Sequence, residues 1–159
     1  MTNDEKQSSD NAGVRLPPPY IYLGFLIVGI LLDSAWVRGE LAELNSMAIG
    51  VAAFLTAGLV MAKSVPRHKK EGSNIEPWKP TTKIFSDGLY ARSRNPIYVA
   101  MAMAYGGIAI AADSGLAMIL LLPCLVAIRY YVIAREEQYL TEKFGEEYLA
   151  YKEKVRRWI

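Results

Sequence analysis

Gly88-Leu89-Tyr90-Ala91-Arg92-Ser93-Arg94-Asn95-Pro96-Ile97-Tyr98 joins cationic and hydrogen-bonding side chains directly to an apolar run over residues 99–112. Proline fixes its own φ and has no N–H to lose, so Pro96 suits the first turn of a helix, and Asn95 is a favourable cap before it. The stretch therefore predicts a helix that starts here and continues through the apolar run. Its free N–H groups would form a cationic mouth suited to an anionic group. The same residues also suit a plain anchor, because Arg and Tyr gather where a helix leaves the lipid.

Outward from this stretch, the chain reads as a membrane protein. Its 159 residues are 52% hydrophobic with a mean hydropathy of +0.13. The apolar residues gather in four runs, 20–37, 46–62, 97–112 and 116–134, and nearly all the charge lies between them. The first two runs are near the lower end of the roughly 17–25 residues that cross a bilayer. A soluble bundle helix would show a polar face, and residues 47–62 have almost none. The expected fold class is all-α: a polytopic membrane protein with about four transmembrane helices, a cytoplasmic loop and a C-terminal amphipathic helix. The third run is rich in small residues that permit close helix approach. It turns through Asp113-Ser114-Gly115 into the fourth, so the two form a hairpin, with Pro123 as a kink. Asp33 marks the aqueous end of the first run. Cys124 is a small apolar-run residue, and with His68 as the single histidine no metal site is expected.

Residues 63–95 are basic and punctuated by Pro66, Pro77, Pro80, Gly72 and Gly88, which argues against a long helix and for a functional loop. Lys and Arg are concentrated in this loop and in the C-terminal tail. Four spans would then put the loop and both termini on the cytoplasmic side. Residues 1–19 read as a disordered tail that ends in the spacer Pro17-Pro18-Pro19, and the start lacks the pattern of a cleavable signal. In the C-terminal region Leu140, Phe144 and Tyr148 recur at i, i+4, i+8, and Tyr151 and Val155 continue the face, with Gly145 as a break. That segment would lie on the membrane or fold back over the loop. The hairpin returns the pair Glu136-Glu137 to the side where Arg94 sits.

With these residues in view, the pattern Gly88-x-Tyr90-x-x-x-Arg94-Asn95-Pro96-x-Tyr98 resembles the signature of the isoprenylcysteine carboxyl methyltransferase and phospholipid methyltransferase superfamily. The hairpin and then Glu136-Glu137-x-x-Leu140-x-x-x-Phe144-Gly145-x-x-Tyr148-x-x-Tyr151-x-x-x-Val155-x-Arg157-Trp158 follow in the matching order. The resemblance covers about residues 72–159 and includes Pro77-x-x-Pro80. It implies an integral membrane enzyme that uses S-adenosylmethionine, with a methyltransferase core over 63–159 after two transmembrane helices in 20–62. It implies that Thr82, Lys83, Ile84 and Phe85 wrap the cofactor. Tyr90, Asn95, Pro96, Ile97, Tyr98, Glu136 and Glu137 complete its site. Glu136 would accept hydrogen bonds from the cofactor, Arg94 would position an anionic group, and the tyrosine faces would attract a sulfonium. The sequence departs from the eukaryotic prenyl-protein enzymes at Asn95, where they have His, and at Val132, where their substrate arginine falls; Arg129 or Arg135 could substitute. The expected acceptor is a lipophilic or small molecule from the bilayer, with no nucleic-acid partner, at a bacterial inner membrane. Two alternatives stand beside this: a membrane NADPH-dependent reductase of the sterol reductase type, and a non-enzymatic scaffold.

Overall fold

The computed structural model describes residues 10–36 and 46–159. The expected connection over 38–45 and the first nine residues of the expected tail lie outside them. The described residues form α-helices, with no strand among them: α1 Pro18–Trp36, α2 Ser46–Lys70, α3 Pro96–Ala111, α4 Gly115–Ala127, α5 Ala134–Phe144 and α6 Glu146–Lys154. A 3-10 turn covers Gly88–Ala91, and a π-helical segment, Ile128–Ile133, joins α4 to α5 without a break. Two of these helical stretches, Ser46–His68 and Gly115–Phe144, are long and apolar enough to cross a membrane; Pro18–Asp33 and Pro96–Ala111 are shorter apolar helices. The chain divides into two compact units.

The apolar unit comprises Pro18–Ala62 and Ile97–Ile128. Here α1 packs along α4, and a Cβ added to Gly29 would lie 2.5 Å from the Cα of Ala117. The second close approach joins α2 to α3: a Cβ on Gly50 would lie 2.5 Å from the carbonyl oxygen of Gly107 and 2.8 Å from the Cβ of Ala111. Glycine is required at such positions because any side chain would strike backbone. Of the small residues noted in the third run, Gly107 and Ala111 make this contact, whereas a Cβ at Gly106 would meet nothing. Two buried tyrosines satisfy their hydroxyls on main chain: Tyr22 donates to Tyr98 O at 3.0 Å and Tyr105 to Ala117 O at 2.9 Å. The hairpin turn has Asp113 at φ 52°, and the Ser114 side chain caps α4 by accepting the Ala117 N–H. Large apolar side chains face outward, among them Leu31, Leu55, Leu59, Ile119 and Leu122. A surface of that kind calls for lipid or a partner.

The polar unit comprises the described residues up to Pro17, with Lys63–Pro96 and Arg129–Ile159. Two sequence expectations change here. Helix α2 does not stop before the loop but runs through Pro66 to Lys70. The hydrogen bond lost at the proline is offset because the turn beyond it is held from outside, with Arg67 paired to Asp87 and His68 bonded to Tyr90. Gly72, at φ 66°, then reverses the chain and lets the Ser73 N–H close back on His68 O at 2.9 Å. The tail also departs from expectation in its described part. Tyr131, Arg135, Tyr139 and Lys143, spaced four apart on one helical face, clip residues 10–16 as a strap. The Tyr131 hydroxyl accepts the Arg15 and Leu16 N–H groups, Arg135 donates to Gly13 O, and Tyr139 and Lys143 both donate to Asp10. Val14 is fully enclosed, and the Ala12 N–H bonds Pro77 O.

The Tyr139 hydroxyl also accepts the Thr81 N–H at 3.1 Å, so it ties the strap to the loop. Tyr139→Phe is expected to cost about 1 kcal/mol and to speed proteolysis within residues 10–17, checked by limited digestion. The Lys143 ammonium that bonds Asp10 holds its carboxyl below the ordinary value. The clasp is thus present at neutral pH and is lost as pH falls through that lowered value.

Candidate functional site

The signature stretch is built into the polar unit by the C-terminal residues. After α6 ends at Lys154, the chain extends, and its carbonyls meet residues 93–95. Arg94 N–H donates to Arg156 O at 2.9 Å, and Asn95 Nδ2 donates to Arg157 O at 2.9 Å. The Arg94 guanidinium is almost wholly enclosed. Its Nη1 donates to Lys152 O and Val155 O, both at 2.8 Å, and its Nη2 to Glu137 Oε1 at 2.7 Å. Its Nε is buried without a hydrogen-bond partner. Arg157 grips the same carboxylate from the other side, Nε to Oε1 at 2.8 Å and Nη2 to Oε2 at 2.7 Å. Lys152 Nζ stands 3.8 Å from Oε2. The Glu137 and Arg94 side chains are each 8% exposed, so this is a buried charge cluster of one anion between two guanidiniums.

A second group surrounds Tyr90. Its hydroxyl and His68 Nε2 are 2.7 Å apart, and the Tyr151 hydroxyl donates to Tyr90 O at 2.7 Å. Phe85 packs against His68 with the rings tilted by 49° and their centroids 4.3 Å apart, while Arg67 and Lys83 sit over the Phe85 ring. Burial pushes the Tyr90 hydroxyl well above its ordinary pKa, with Tyr151 and Glu136 adding to the shift, so it stays protonated. The Tyr151 hydroxyl is likewise pushed up to about 12 by burial. Tyr148, Tyr151 and Val155 form a buried cluster with Ile84, Leu140 and Phe144 against it, the face that the i, i+4, i+8 spacing announced. Gly145, at φ 53°, breaks α5 from α6 as its position suggested.

The polar unit thus brings together Thr82, Lys83, Ile84, Phe85, Tyr90, Arg94, Asn95, Pro96, Arg129, Arg135, Glu136 and Glu137. Ile97 and Tyr98 are buried in the apolar unit instead. Of the two glutamates, Glu137 takes the buried, ion-paired position and Glu136 is half-buried. Arg94, expected to position an anionic ligand, directs both Nη groups to protein acceptors. Arg135 is committed to the strap, while Arg129 is exposed beside Tyr130. Lys83 pairs with Glu71, and Thr82 bonds Gly72 O and Ser73 Oγ. The N–H groups of Lys83, Ile84 and Phe85 enter none of the main-chain hydrogen bonds among the described residues outside helices. No group of three or more His, Cys, Asp or Glu suited to a metal occurs among the described residues. Reading from sequence missed His68 and Ser93 as parts of this assembly; Arg157 appeared in the C-terminal pattern but without a role, because its contact with Glu137 depends on the fold.

Most of the span that carries the signature residues matches a known family. A model of the phospholipid methyltransferase family matches residues 45–147. The chain belongs to the phospholipid methyltransferase family. That family is described as phospholipid methyltransferases, and two helical stretches of this chain are long and apolar enough to cross a membrane. The match takes in α2, the signature, the hairpin and α5; the strap and residues 152–157 lie outside it. A Haemophilus influenzae protein described as "Uncharacterized protein" is 57% identical over 35 residues, 22% of this chain and 56% of that relative. The chain thus spans little more than half of that relative's length. No solved structure matches the chain.

Proposed function

We propose that the chain is an integral membrane methyltransferase that takes its methyl group from S-adenosylmethionine and gives it to a lipophilic or small acceptor drawn from the bilayer. The family match over residues 45–147 carries this reading. It favours methyl transfer over the nicotinamide reductase and the scaffold. Four spans, with α1 and α3 as the shorter pair, would put the basic loop and the active site in the cytoplasm at a bacterial inner membrane. The domain division follows: two spans before residue 63, and the methyltransferase core after it.

The donor set of the polar unit fits the cofactor. The N–H groups over residues 83–85, outside the main-chain hydrogen bonds among the described residues, would bind its polar edge, beside Tyr90, and Glu136 would accept hydrogen bonds from its ribose or amino groups. Arg94, Asn95 and Glu137 would act as the frame that holds this edge in place, and Ile97 and Tyr98 remain in the cofactor set by resemblance. Arg129, exposed and uncommitted to the strap, is the better placed of the two arginines to meet an anionic acceptor. Bound S-adenosylmethionine supplies an already activated methyl, so alignment and exclusion of water are what the protein must add.

The test is to titrate the purified protein, in lipid nanodiscs, with S-adenosylmethionine and NADPH separately. Saturable binding of the first alone is expected, and Glu136→Ala should weaken it about tenfold. Saturable NADPH binding without S-adenosylmethionine binding rejects the reading. Lipid extracts incubated with labelled methyl donor, with and without the protein, then identify the acceptor by mass spectrometry.

A further inference from the structure

We propose that Arg157, outside the family-matched span, is a positioning residue for the cofactor site. It acts through Glu137 to fix the setting of α5, and hence of Glu136, against residues 93–95. This rests on the methyltransferase reading given above and goes beyond it by assigning a role to the C-terminal segment.

The argument begins with charge. Arg94 alone neutralises Glu137, through a 2.7 Å bond. A second guanidinium is not needed for neutrality, and its contribution is geometric. Arg157 binds both carboxylate oxygens, at 2.8 and 2.7 Å, in the fork arrangement that only arginine offers. A carboxylate held at both oxygens cannot swing, and the helical turn that carries it is held with it. Glu136 is the neighbouring residue on that turn.

The main chain of the same residue completes the link. Arg157 O accepts from Asn95 Nδ2 at 2.9 Å and from Ser93 Oγ at 3.5 Å, and Ser93 Oγ in turn accepts the Asn95 N–H at 3.1 Å. One residue thus bonds Glu137 of the acidic pair with its side chain and the signature stretch with its backbone. Its guanidinium is 28% exposed while Glu137 is 8% exposed, so the arginine closes the cluster from the outside. Removing it leaves the inner pair intact. Groups that orient a binding residue commonly affect affinity by about tenfold or more.

The experiment measures S-adenosylmethionine affinity and melting temperature together on the full chain in nanodiscs, for wild type, Arg157→Ala, Arg157→Lys and Lys154→Ala. Lys154 is exposed and makes none of these contacts, so its variant controls for charge. Arg157→Ala is expected to bind about tenfold more weakly while melting close to wild type. Arg157→Lys should recover part of the loss, and added guanidinium should restore affinity to Arg157→Ala but not to Glu136→Ala. Wild-type affinity in Arg157→Ala overturns the assignment. So does an affinity loss that only parallels a fall in melting temperature and that neither lysine nor guanidinium repairs. A wild-type protein that binds no S-adenosylmethionine overturns the enzyme reading and this assignment with it, which separates the two failures.

Discussion

Glu137→Ala is expected to remove about 3–5 kcal/mol of stability, the usual cost of breaking a buried ion pair by taking away one partner. The Arg94 side chain is 8% exposed, so its charge would be left largely buried, facing two carbonyls and the space vacated by the carboxylate. Arg157 would lose its only anionic contact among the described residues at the same time. The polar unit should therefore loosen at its centre, with residues 93–95 and the C-terminal segment losing their common anchor. Thermal unfolding in detergent checks this. Glu136→Ala, one residue away, should shift the melt far less, although it should weaken cofactor binding. Equal destabilisation by both substitutions would count against Glu137 as the structural partner.

Gly50→Leu should be as damaging in the apolar unit. The new Cβ would stand 2.5 Å from Gly107 O and 2.8 Å from the Ala111 backbone nitrogen and Cβ. Those are main-chain atoms of a helix, and they cannot yield as a flexible side chain would. The helices must separate, so the loss is expected at the upper end of the roughly 1–3 kcal/mol seen for overpacking, or beyond it. Gly58→Leu, on the same helix, adds a side chain where nothing lies within 4 Å and should leave stability unchanged. Melting temperature and monodispersity of the two purified variants make the comparison. Equal tolerance of both substitutions would mean that α2 and α3 do not meet at Gly50.

Much of this architecture was legible from residue order. The apolar runs became helices that begin near the expected positions, although the second and fourth continue past their expected ends; Pro96 begins α3, and Gly145 divides α5 from α6. These features are local, set by propensity and by side-chain period. What could not be read depends on contacts distant in sequence. Pro66 reads as a stop, yet Asp87 and Tyr90 hold the following turn in helix. Glu136 and Glu137 are indistinguishable as letters. Which of them faces Arg94 is decided by the rotation of α5, through a partner twenty residues downstream. The strap was the nearest miss: Tyr131, Arg135, Tyr139 and Lys143 stand at four-residue intervals, but the row is lost among the other polar residues of α5, Glu136, Glu137, Gln138, Thr141 and Glu142. Polar composition in residues 10–16 hid it, because a segment can lack apolar bulk and still be ordered by a row of donors.

The strap also sets a timetable for synthesis. Residues 10–16 leave the ribosome early, but the side chains that bind them belong to residues 131–143, and Arg94 finds its carbonyl acceptors only at residues 152 and 155. A unit whose pieces come from both halves of a chain cannot be completed until its last piece has been made. The two helical stretches long and apolar enough to cross a membrane are, by contrast, synthesised before residues 152–155. The polar unit can be completed only once residues 152–157 have been made, and a nascent chain stalled short of residue 155 would present an unfinished unit to the cell's quality control.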